Sequence, residues 1–155
     1  MQVLSAFNVL APLTAMLIGA IGVGGGIYET LLVDRVWPSN PAVIQPNRGG
    51  INRGLFWMPV HSLYELALLV TAWTLWDVAG ARWWLVGALA AHFAARAWSF
   101  TYFIPKALRF EKLGDLTDAQ KRDAQRWTNL SRWRPMVELA SVISLSVVIV
   151  HFAAR

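Results

Sequence analysis

Four stretches of this chain run for about twenty residues each with almost no charge, which is the length a helix needs to cross a bilayer core. Val3 to Tyr28 carries none. Gly54 to Trp76 holds one acid, Glu65; Trp83 to Pro105 holds one base, Arg96; Pro135 to Ala154 holds one acid, Glu138. Runs such as Leu66-Ala67-Leu68-Leu69-Val70 do not alternate, so they read as helices and not as strands of a membrane barrel. Approximate spans of 5–27, 57–77, 83–105 and 135–154 follow, and the fold class predicted is all-α, a four-helix transmembrane bundle in one integral membrane domain, 1–155.

Composition agrees. The chain is 56% hydrophobic and only 15% charged, against about 45–50% and 25% for soluble domains. Such apolarity also excludes a disordered chain. With no cysteine, disulfides, thiolate metal sites and thiol nucleophiles are excluded. The first window lacks a basic start and is longer than the apolar run of a signal peptide, so it is expected to be retained.

Pro59 and Pro135 mark the expected starts of the second and fourth spans, and Pro105 the end of the third. Trp57, Trp73, Trp76, Trp83, Trp84, Trp98 and Trp133 lie near helix ends, as an interfacial belt would. Asp77 to Arg82 forms a tight turn; the other two connections, Glu29 to Arg53 and Lys106 to Arg134, are long and share one side. That side carries Arg35, Arg48, Arg53, Lys106, Arg109, Lys112, Lys121, Arg122, Arg126, Arg132 and Arg134; the other has Arg82 and Arg155. The positive-inside rule predicts a bacterial-type cytoplasmic membrane, long connections in the cytoplasm and both termini outside. Residues 34–50, rich in Pro and Gly, read as an irregular or short-strand excursion. Residues 115–133 read as an amphipathic helix, opened by a Thr117–Gln120 capping box. It lies either on the membrane surface, with Trp127 and Trp133 at headgroup level, or packed on the bundle. No nucleic-acid module is visible.

Ionisable groups inside a bilayer are costly and point to function. His61 and Glu65 share a face of the second helix; His92, Arg96 and Ser99 share one on the third, with Tyr102 on its flank. Glu138 lies one turn inside the fourth, and Glu29 closes the first on the same side. Counting inward from Pro59 puts Glu65 about 9 Å deep, and counting from Pro105 puts Arg96 about 13 Å deep. A Glu65–Arg96 ion pair is therefore expected, with His61 and Glu138 shallower and His92 deepest, about 16 Å from His61. The group either locks helices together or lines a polar pocket. His61, Glu65, His92 and Glu138 could offer metal donors, but Arg96 would oppose a cation, so no metal and no cofactor is expected. Acid–base chemistry fits better: Glu65 or His61 as base, Arg96 stabilising an anion. Gly22-x-x-x-Gly26 reads as a close helix-packing face.

Several motifs carry a family likeness. They are the glycine-rich first helix, the excursion ending Ile51-Asn52-Arg53, the third-helix end Thr101-Tyr102-Phe103-Ile104-Pro105-Lys106-Ala107-Leu108, and the Trp/Arg-rich entry Trp127 to Arg134. On these, residues 14–154 resemble the anthrone-oxygenase-like family of small four-helix membrane proteins. One departure is that Ser131-Arg132-Trp133-Arg134 stands where relatives often have an Asn-His-x-Arg-like entry. The resemblance implies oxygenation of a polyketide anthrone to a quinone without metal or flavin, by loss of an acidic C–H proton and reaction of the carbanion with dioxygen. Glu65, His61 and Arg96 would be catalytic. Asn52, Arg53, Trp57, His92, Trp98, Ser99, Tyr102, Phe103 and Glu138 would bind substrate, with Asn52 aiding anion stabilisation and Trp57, Trp98 and Phe103 as apolar walls. The partners expected are membrane lipid, a hydrophobic small molecule and further copies of the chain. The competing readings are a non-enzymatic membrane subunit or assembly factor, and a small transporter working as a homodimer.

Overall fold

The computed structural model describes residues 6–153, so residues 3–5 and 154 of the predicted windows, and Arg155, lie outside the described residues. Among the described residues there are helices and no strands. They are α1 (Ala6–Tyr28), α2 (Gly54–Leu75), α3 (Ala79–Trp98), α4 (Ile104–Lys112), α5 (Asp118–Ser131) and α6 (Arg134–Ala153). Two single π-turns, Glu29–Val33 and Ser99–Phe103, extend α1 and join α3 to α4. The excursion after α1 is built of two 3₁₀ turns, Pro41–Ile44 and Pro46–Arg48, and holds no strand.

Three helical stretches are long and apolar enough to cross a membrane: Phe7–Val33, Gly54–Leu75, and Asp118–His151, which takes in α5 and α6 as far as His151. α3, predicted as a fourth, is not among them, because Arg82, His92 and Arg96 fall within its twenty residues. Apolar residues face outward to an unusual degree: in the most apolar part of α2 only 22% of residues are buried. Leu55, Met58, Leu63, Leu66 and Trp73 all stand exposed along it. A helix apolar on its outer face suits lipid as its surroundings.

The four long helices close a ring: α1 packs on α2 and α6, and α3 packs on α6 and, more sparsely, on α2. Small residues set the spacing. A side chain at Gly19 would meet Tyr64 and Val142, each 2.8 Å from its Cβ, and one at Gly26 would meet Pro135 at 2.6 Å. The Gly22/Gly26 face thus brings α1 close to two helices, Gly22 towards Val60 of α2 and Gly26 towards α6. Ala15, Tyr64, Leu68, Leu85, Ala88 and Leu145 fill the core of this ring.

The long connections make a second core. Val33, Trp37, Ile44, Phe103, Phe110, Leu116, Ala124 and Trp127 pack together at the end opposite the α2–α3 turn. Trp127 is only 2% exposed and its Nε1 donates to the Phe103 carbonyl at 3.1 Å, so its ring packs inside the second core; Trp133, 54% exposed, is the outward one. The capping box at Thr117 is formed: Gln120 N–H donates to Thr117 Oγ1, and Thr117 N–H to Gln120 Oε1. Gln45 Nε2 donates to the carbonyls of Phe110 and Gly114 at 3.1 Å and also contacts that of Leu113, closing the C-terminal end of α4. Lys106 and Asp123, 2.6 Å apart, tie α4 to α5.

The prolines behave differently from expectation. Pro135 sits in the first turn of α6 as predicted. α2, however, begins at Gly54, and Pro59 lies inside it. Pro105 ends nothing, because the π-turn before it widens the helix where a proline lacks its N–H and crowds the carbonyl four residues back. If the Gly19 contact sets helix spacing, Gly19→Val lowers stability by about 1–3 kcal/mol. Gly24→Val, which points into open space, changes it little. Thermal unfolding in mild detergent compares the two.

Candidate functional site

α2 and α3 are joined by a tight turn at one end and separate towards the other. The gap between α2 and α3–α4, backed by α1, α5 and α6, is a cavity of about 600 Å³. It lies at the seam of the two cores; of its lining, the apolar Met58, Phe100 and Leu108 are half or more exposed, and the polar Asn52 and Ser62 are exposed as well.

Each π-turn begins with a polar residue of the lining, Glu29 and Ser99. Glu29 is buried and doubly held: Arg53 Nη1 donates to Oε1 at 3.1 Å and Trp57 Nε1 to Oε2 at 2.7 Å. Arg53 Nη2 also donates to Glu111 of α4 at 2.8 Å, so one buried guanidinium links α1, α2 and α4. Next to this network, burial pushes the Asp34 carboxyl up to about 7, with Glu29 adding to the effect, although Trp37 Nε1 donates to it. Asp34 therefore holds a proton more readily than an ordinary carboxyl.

Deeper in the bundle, His92 Nδ1 donates to Glu138 Oε1 at 2.6 Å. His92 is fully buried and Tyr64 packs edge-on against it, the rings 4.9 Å apart. Tyr64 in turn donates to Ser141 at 2.7 Å, and Ser141 to the Ala88 carbonyl at 2.8 Å. Glu138 lines the cavity; His92 stands behind it, its Nε2 buried with no partner. His61 lines the cavity too, stacked on Trp57 and 6.2 Å from the His92 ring.

The structure brings Asn52, Arg53, Trp57, His61, Arg96, Ser99, Phe103 and Glu138 into one lining, and leaves four predicted residues outside it. Glu65 stands beyond the rim, its Oε2 4.0 Å from Arg96 Nε with no hydrogen bond formed, so the expected ion pair is at most a long one. Trp98 and Tyr102 pack edge-on against Phe103, each 5.0 Å away. His92 lies beside Glu138 and near His61, not at a separate depth. The depth estimate fails because it counts from Pro59, which lies inside α2, and from Pro105, which lies in the first turn of α4 beyond the end of α3. Counted from the shared α2–α3 turn, His61 and His92 lie about 21 Å and 20 Å away, essentially level. On the same count Arg96 lies about 10 Å farther from the turn than Glu65.

Sequence reasoning missed Arg134, Glu111, Trp127 and Ser131 as lining residues. Arg134 was detectable: it is four residues before Glu138, hence on the same face of α6. Among the described residues no three His, Cys, Asp or Glu side chains come together as a metal site would require. Comparison with protein-family models, with curated proteins and with solved structures yields no match.

Removing the guanidinium in Arg53→Met strands two carboxylates and costs about 3–5 kcal/mol. Unfolding midpoints in detergent measure this, and adding Glu29→Gln to Arg53→Met restores part of the loss.

Proposed function

We propose that this chain is a small integral membrane enzyme that removes a proton from a hydrophobic, cyclic substrate entering from lipid. In this reading α3 is the fourth span beside α1, α2 and α6; at about 1.5 Å per residue its twenty residues reach about 30 Å. The long connections face the cytoplasm and both termini lie outside.

The observation that carries the chemistry is the Glu138–His92 pair in a cavity that also contains Arg134 and Arg96. Glu138 reaches the cavity wall while His92 fixes one of its oxygens, the arrangement of an oriented general base. This moves the base from Glu65, outside the lining, to Glu138, with His61 as the neighbouring second group. Proton loss from a C–H flanked by conjugated carbonyl or phenol groups leaves charge on a substrate oxygen. The guanidinium groups would meet that charge as it develops. Trp57, Phe100 and Phe103 offer flat apolar surface to a ring system. Return of the proton at another carbon gives an isomerase. Reaction with dioxygen gives an anthrone-type oxygenation, in which a CH2 group and O2 become C=O and water.

An accessory-subunit role would require the buried polar groups to be satisfied by one another. Arg96 and Arg134 line the cavity with no carboxylate hydrogen-bonded to either, which favours a site for an anionic group instead.

Two measurements test the reading. Glu138→Gln lowers turnover of a polycyclic anthrone or related enolisable ketone by about 100-fold or more, while Glu65→Gln stays within a few-fold of wild type. Equal loss in both, or none in Glu138→Gln, overturns the assignment. For topology, the native chain has no cysteine, so each introduced cysteine is the sole thiol. Cysteines at Lys121 and Arg126 are labelled only from the cytoplasmic side, and one at Asp77, exposed in the α2–α3 turn, only from outside.

A further inference from the structure

Arg134 carries a charge for which the fold supplies no counter-charge in contact. Its Nη2 donates to Ser131 Oγ at 3.1 Å and its Nη1 reaches Ser99 Oγ at 3.5 Å. The guanidinium lies 4.5 Å from the centroid of Phe103 and 5.7 Å from that of Trp127. Its Nε is buried with no acceptor. Among the described residues no carboxylate lies within ion-pair distance of it. Arg96 is similar: its Nε is buried and unpartnered, and its nearest acid, Glu65, stands outside the lining.

The acids of the lining are already engaged. Glu29 is taken by Arg53 and Trp57, Glu111 by Arg53, and Glu138 by His92. Three carboxylates and three guanidinium groups line the cavity, so its formal charge balances, but Arg53 holds two of the carboxylates and the Nε atoms of Arg134 and Arg96 are left without an acceptor. Arg134 is also the first residue of α6, whose opening turn contains no acid. The positive end of a helix dipole repels a cation and attracts an anion. A guanidinium presents a planar fork of donors that matches an oxyanion. The exposed part of the lining is Met58, Phe100 and Leu108 with the polar Asn52 and Ser62, and the cavity's volume, about 600 Å³, is within the range that encloses a drug-sized ligand.

We propose that the cavity takes a lipophilic oxyanion, its charged head on Arg134, Arg96 and Ser99 and its apolar body towards Met58, Phe100 and Leu108. The substrate class is thus a membrane-soluble acid bound as its anion, whether carboxylate, phosphate monoester or enolate. This rests on the cavity being the substrate site.

The test uses the full chain in neutral maltoside micelles, with 11-bromoundecanoate and 11-bromoundecanol as matched probes that quench Trp57 and Trp127 on binding. The acid is expected to bind saturably and about tenfold or more tighter than the alcohol. Arg134→Gln is expected to abolish that preference while leaving alcohol binding unchanged. Arg96→Gln, nearer the rim, serves as the second variant if Arg134→Gln does not fold. Dodecyl phosphate competing with the acid supports a general oxyanion site and shows that the head need not be a carboxylate. Inorganic phosphate competing equally well would remove the lipophilic part of the proposal. Equal affinity for acid and alcohol, or a preference that survives both substitutions, overturns it. Loss of turnover in Glu138→Gln with acid binding intact concerns the proton-transfer reading alone, so the two can fail separately.

Discussion

The geometry of this molecule depends on Arg53. Its side chain is buried, bonds Glu29 at the end of α1 and Glu111 on α4, and itself leads into α2. Charges removed from water persist only when each finds a partner with good geometry, so these three elements are held at one relative position. The second oxygen of Glu29, taken by Trp57, extends the constraint one turn into α2. The cavity is the space that remains when α2 is fixed at its two ends, by the turn to α3 and by Arg53.

This division explains why the polar groups differ in character. Those around Arg53 pair as ions, Glu29 and Glu111 on one guanidinium, and join the bundle to the core made by the connections. Those farther in are arranged otherwise: His92 fixes one oxygen of Glu138, and Arg134 and Arg96 carry donors with nothing to receive them. Small residues on α1 allow both arrangements, because Gly19, Gly22 and Gly26 let α2 and α6 approach closely enough to form a continuous wall.

Much of the fold was legible in the sequence because lipid leaves few choices. Apolar windows of the right length specify helices whatever their neighbours do, and three of the four stand as such. The capping box at Thr117 and the proline in the first turn of α6 are local signals and held. The site was legible only as a set of residues. His61, Arg96, Ser99 and Glu138 meet in one lining, yet the pairing among them differs, since depth was counted from prolines that do not mark the start of α2 or the end of α3. The burial of Trp127 was not readable at all. Polar residues interrupt its face, and it is buried only because Trp37 and Phe110, distant in sequence, complete the second core. Arg134 looked like one more flanking charge because its missing partner is a property of three dimensions.

The π-turn at Ser99–Phe103 has a consequence for how the wall could have arisen and how it can be altered. Such a turn is an α-helix with one residue added, so everything after it is rotated by about 100° relative to an unbroken helix. The turn sets the angular phase of α4, and with it the direction of Glu111 towards Arg53 and of Leu108 towards the cavity. Deleting a single residue between Ser99 and Phe103 would leave α3 and His92 where they are while turning α4 away from both contacts. The cavity is in this sense written in helix phase as much as in side chains: its inner half and its outer half are separable by one residue of chain.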